Sequence, residues 1–136
     1  MAGKYSIYYK SDVYINGSNE HLYKGYNTLS FAIFSAKILK KSKSHEGVKN
    51  VLVLDESINV GDWLYKVVYS VEKGYVNYAR VVDYKKGLVA SWTLATLKQK
   101  AVERGFKRNA ARARRKTLEQ FLLNSLLNDW VKELFG

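Results

Sequence analysis

The sequence predicts an α+β fold: a small, mostly antiparallel sheet with one helix across it, then two C-terminal helices, the last long and amphipathic. Three observations carry that expectation. Alternating apolar residues and Val- and Tyr-rich runs, broken by turn signals, fill much of the first ninety residues. One stretch of helical spacing, from Leu29, interrupts them. From Thr93 onward the pattern is helical, in a chain without proline. At 136 residues, 47% of them hydrophobic, the chain is large enough to bury a core unaided by metal or disulfide.

Tyr5, Ile7 and Tyr9 alternate over Lys4 to Lys10 and predict a half-buried strand, which Asp12 to Ile15 extends or returns. Asn16-Gly17-Ser18-Asn19 is a turn signal. Asn16-Gly17-Ser18 also matches a glycosylation sequon. The first ten residues carry no secretory-signal pattern, so the turn is the expected reading. Leu29, Ala32, Ile33, Ala36 and Leu39 recur at helical spacing behind a cap at Asn27 or Thr28. Lys40, Lys41 and Lys43 place positive charge at the helix's negative end, and His45-Glu46-Gly47 breaks it.

Val48 to Leu54 is aliphatic enough for a strand buried on both faces. Trp63 to Val71 and Tyr75 to Tyr84 predict a hairpin around Glu72-Lys73-Gly74, closed by Lys85-Lys86-Gly87. Thr93 to Glu103 predicts a helix ended by Arg104-Gly105, and Phe106 to Phe135 a single long one. The expected organisation is a mixed region over 1–90 with a basic helical region over 91–136 packed on it, one compact domain overall.

Charge is the most informative number. The formal net charge is +11, a field that favours acidic partners. Between Lys98 and Lys116 stand nine basic residues and one acid, Glu103. Concentration of that kind separates a binding site from general solubility. The candidate site for nucleic acid or an acidic partner is Lys98, Lys100, Arg104, Lys107, Arg108, Arg112, Arg114, Arg115 and Lys116. On a helix, Arg108, Arg112 and Arg115 would share one face, with Ala110 and Ala113 leaving room for close docking. Guanidinium groups bind phosphate in a bidentate, weakly hydrated fashion, and neutralised phosphates release counterions. The pattern resembles arginine-rich helices that enter RNA grooves and basic arms that track duplex DNA.

Competing readings are weaker. A solvated basic face that only aids solubility would show more acids at i,i+4. Ala101 to Gly105 has the form of a helix-turn-helix turn, but the following segment carries charge at Arg114 where an apolar seat is needed. Tyrosines beside lysines on strands can stack bases, though they also suit a half-buried pleat. The apolar stripe from Leu118 to Phe135 suits core packing or a second copy of the chain, and Glu119, Asp129 and Glu133 disfavour a membrane-surface role.

Enzyme signals are absent. Val51 to Glu56 resembles a Walker B strand without any phosphate-binding loop to match. His21 and His45 stand in polar, turn-like settings, and Asp55, Glu56, Asp62, Glu72 and Asp83 lack nuclease spacing. No Cys is present, which removes thiolate sites. The expectation is a cytoplasmic, non-enzymatic nucleic-acid-binding accessory protein with no cofactor and no metal. The alternative is an interaction or inhibitor protein of a virus or mobile element. It would bind a host nucleic-acid-processing enzyme such as a guided nuclease. A self-assembling structural protein, a homo-oligomer built through the C-terminal apolar helix, is the third reading.

Overall fold

A computed structural model describes residues 3–135; Met1, Ala2 and Gly136, which the expected regions include, lie outside the described residues. Contacts divide the chain into two compact units, one reaching Tyr78 and including Leu134 and Phe135, the other running from Ala79 to Glu133.

The first unit is built on a five-stranded antiparallel sheet in the order β2-β1-β3-β4-β5. The strands are β1 (Tyr5–Ile15), β2 (Ser18–Tyr26), β3 (Val51–Asp55), β4 (Val67–Ser70) and β5 (Gly74–Tyr75). Asn16 and Gly17 both have positive φ, 53° and 80°, as the tight turn between β1 and β2 requires. Tyr5 to Tyr9 pair with both β2 and β3, whereas Lys10 and Ile15 pair only with β2. All five residues of β3 are buried, as its aliphatic run predicts for a central strand.

Helix α1 (Leu29–Ser42) starts at Thr28, whose hydroxyl accepts from the Phe31 N–H at 3.2 Å. Its small buried residues, Ala32 and Ala36, let it approach the sheet closely, over Ile7, Tyr9, Val48, Val51 and Val53. Each fully buried aliphatic side chain there contributes about 1.5–3 kcal/mol. Asn50 ties the strands to the chain end. Its amide donates to Ser70 Oγ at 2.8 Å and to the Leu134 carbonyl, and its oxygen accepts from the Val51 and Glu72 N–H groups. Phe135 lies against Tyr8 and Trp63, with ring centroids 5.8 and 6.0 Å away.

The second unit is helical: α2 (Tyr78–Ser91, its first residue in the first unit), α3 (Leu94–Glu103) and α4 (Arg115–Phe135, its last two residues in the first unit). Thr93 caps α3, accepting from Thr96 N–H, and Gly105 at φ 90° turns the chain away from it. Val89, Leu97, Ala101, Leu118 and Leu122 form the core, and Phe106 meets Phe121 edge-on at 5.1 Å. No helix among the described residues is long and apolar enough to cross a membrane.

Two expectations are corrected. Tyr75 to Tyr84 is not a strand beyond Tyr75; residues 78–91 form α2 and most of them belong to the helical unit. The buried positions Tyr78, Val82 and Val89 have helical spacing, and that burial outweighs the β propensity of Val and Tyr. Nor is 106–135 one helix. Residues 104–114 form a connection containing only a 3-10 turn, Ala110–Arg112, and α4 begins at Arg115. That connection is also far longer than the turn of a helix-turn-helix.

Candidate nucleic-acid interface

Helix propensity alone would make 106–114 helical, but three local effects oppose it. Consecutive basic side chains repel across a helical turn. Only Ala110 is buried, so no apolar stripe repays the ordering of a helix. Asn109 competes directly, its side-chain oxygen accepting from the Ala111 N–H at 3.1 Å. The outcome is an irregular segment held through Phe106, Ala110 and Ala113. The ridge of Arg108, Arg112 and Arg115 on one helical face does not exist.

The ends of this segment are pinned. Arg104 Nη1 donates to Asp129 Oδ2 at 2.7 Å and Ser125 Oγ at 3.0 Å on α4. The hydrogen bond and charge of Arg104 hold the Asp129 carboxyl below the usual carboxylate range. Arg115 donates to Glu119 Oε1 at 2.8 Å, and its Nη2 donates to the carbonyls of Trp92 at 2.6 Å and Ala90 at 3.2 Å. Both arginines staple α4 to the ends of the neighbouring helices.

Between those staples the arginines are open. Arg108, Arg112 and Arg114 are exposed and line one cavity of about 400 Å³ with Phe106, Asn109 and Thr117. Its walls carry no carboxylate. Among the described residues, the side chains of these three, and of Lys107 and Lys116, make no ion pair or hydrogen bond. Lys116, on α4, lines a separate cavity beside Glu119 and Lys86. On α3, Lys98 is half-buried and Lys100 lies 4.7 Å from the Trp92 ring centroid. Of the nine predicted residues, the structure therefore brings three together around one concavity, ties down two, and distributes the other four.

Phe106, Asn109 and Thr117 were missed in the sequence as part of this concavity. The signal for Asn109 was present: an Asn before Ala-Ala-Arg is a turn-forming residue. Chemically, three of the residues lining the cavity carry planar, permanently charged side chains, the type that binds small anionic groups.

Elsewhere the sequence's other motifs have structural roles. Asp55, in the Walker-B-like run, accepts from Ser57 N–H at 2.9 Å and Ser57 Oγ at 2.6 Å and pairs with Lys4 at 3.5 Å. Burial opposes its ionisation, but these contacts outweigh it and its pKa lies below the ordinary value. His21 is hydrogen-bonded to Ser11 and Val13 and stacked 4.8 Å from Tyr9. Among the described residues no group of His, Asp and Glu is arranged to hold a metal ion. In comparisons with known proteins, no family model, no curated protein and no solved structure matches this chain.

Proposed function

We propose that this chain binds nucleic acid through the phosphate backbone, without catalysis, by means of Arg108, Arg112 and Arg114. One observation carries the reading: three arginines line a single cavity, and among the described residues none of them pairs with a carboxylate. Packing does not require them there, since each is exposed. A phosphate entering the cavity would meet more than one arginine, and the exposed Lys107, next to Arg108 in sequence, adds further charge. Base edges have no role in this arrangement, so binding is sequence-tolerant. A cytoplasmic setting, where nucleic acid is accessible, goes with this reading.

The test is the affinity of the wild-type chain and of the Arg108→Ala, Arg112→Ala, Arg114→Ala triple variant for a short DNA duplex and a single-stranded RNA. Loss of three phosphate contacts lowers affinity by about a hundredfold at low salt. Equal affinity of the two proteins, or no binding by wild type at low salt, overturns the reading. Binding of acidic proteins in place of either nucleic acid would favour the interaction-protein alternative.

A further inference from the structure

A second surface, in the first unit, has a different chemistry. Helix α1 buries Ala32 and Ala36 against the sheet and leaves Phe31, Phe34 and Ile38 exposed at 57%, 59% and 49%. These three residues follow helical spacing and so form one stripe, about 10 Å long at the rise of an α-helix. Isolated exposed apolar residues are ordinary; an aligned series of large ones is the pattern of a docking face. The stripe borders a cavity of about 580 Å³, with Phe34, Ile38 and Val71 as its apolar lining.

Charge says what fits there. Helix α1 contains three lysines and no carboxylate. Lys37 and Lys41 stand at the cavity rim without an ion pair among the described residues. The rim's Glu72 is already engaged by Lys40. A second copy of the chain would bring the same lysine rim and another +11 of charge, so self-association is opposed. Phe34 offers one stacking plane, but the aliphatic Ile38 and Val71 beside it give nucleobases neither donors nor a second plane, and a flat bilayer leaves the concavity unfilled. An apolar side chain flanked by carboxylates satisfies both lining and rim.

We infer that the exposed face of α1 docks an acidic amphipathic helix of a partner protein. Its apolar anchors enter the Phe34–Ile38–Val71 cavity, and its carboxylates meet Lys37 and Lys41. The surface is separate from the arginine cavity, so either can fail alone.

The probe is a dye-labelled model helix with leucines along one face and glutamates elsewhere, titrated into the full chain and followed by fluorescence anisotropy. Comparison probes are the same helix with lysines for glutamates, a single-stranded oligonucleotide, and phosphatidylserine vesicles. The acidic helix is expected to bind saturably and more tightly than the basic one. Phe34→Ala with Ile38→Ala weakens it about tenfold or more, as removal of two anchors does. Lys37→Glu with Lys41→Glu, a change of solvated groups that keeps the fold, also weakens it and inverts the preference toward the basic helix. No binding of the acidic helix, equal binding of both helices, or capture only of oligonucleotide or vesicles through these residues overturns the inference. The Arg108, Arg112, Arg114 triple variant serves as the internal reference and binds the acidic helix as wild type does.

Discussion

Arg104 and Arg115 stand at the two ends of the segment that joins α3 to α4, and Arg108, Arg112 and Arg114 stand within it. All five carry the same side chain, and no acid stands between Arg104 and Arg115. The outer two are committed to the protein: one to Asp129 and Ser125, the other to Glu119 and the carbonyls of Ala90 and Trp92. The inner three face solvent around a shared cavity. Composition alone treats the five as equivalent. The difference teaches that a charge run is read correctly only after its members with intramolecular partners are subtracted.

The comparison can be broken most forcefully from below. Leu118 is fully buried in the helical core, within the first turn of α4. Leu118→Ala costs about 2–5 kcal/mol of stability through lost burial and the cavity left behind. Denaturant unfolding measures it; a loss under about 1 kcal/mol would mean the base supporting both sets of arginines is not packed as described.

Arg115→Ala is the next largest. It removes charge-assisted hydrogen bonds to two carbonyls at a partly exposed site, which costs about 1–2 kcal/mol in the same unfolding experiment. Nucleic-acid affinity should barely change. Arg108→Ala behaves in the opposite way, with unaltered stability and weakened binding. Any result in which the two variants behave alike removes the distinction between the sets.

Replacing Arg108, Arg112 and Arg114 together by Lys keeps the charge and removes the planar fork. Affinity should fall by about three- to tenfold, well short of the loss with Ala. A Lys variant as tight as wild type would reduce the cavity to a general positive field.

The smallest effect concerns pH. Arg104 holds the Asp129 carboxyl below its ordinary value, so the folded state binds that proton less readily than the unfolded chain. The resulting stability is present above the unfolded chain's carboxylate pKa and disappears as pH falls through the lower folded value. Asp129→Asn should therefore flatten the acid limb of the stability curve slightly and leave neutral-pH binding unchanged. An unchanged acid limb would show that the Arg104 pairing adds nothing in solution.

Much of the fold was legible in residues whose burial and spacing agree. Val48 to Leu54 read as a central strand for its β-branched and aliphatic run, and the strand is Val51–Asp55; Thr28 with Ala32 and Ala36 announced α1. Tyr75 to Tyr84 misled because Val and Tyr favour strands locally, while the buried Tyr78, Val82 and Val89 obey a helical period. The basic segment misled for a related reason: Ala and Arg favour helix, yet charge repulsion, the Asn109 turn and the lack of a face to bury won. The candidate residues were visible as a charge cluster. Apart from Glu119, four residues on from Arg115, their sorting was not, because Asp129 and the Trp92 carbonyl meet them only through the folded chain.

The most direct measurement is the dependence of duplex affinity on salt for three proteins: wild type, the Arg108, Arg112, Arg114 triple Ala variant, and an Arg104, Arg115 double Ala variant. Each phosphate neutralised contributes about 0.9 to the slope of log affinity against log salt. The triple variant should flatten the slope by about two to three, and the double variant should leave it as in wild type. Equal flattening by both, or by neither, would contradict the claim that the three unpaired arginines are the ones that meet phosphate.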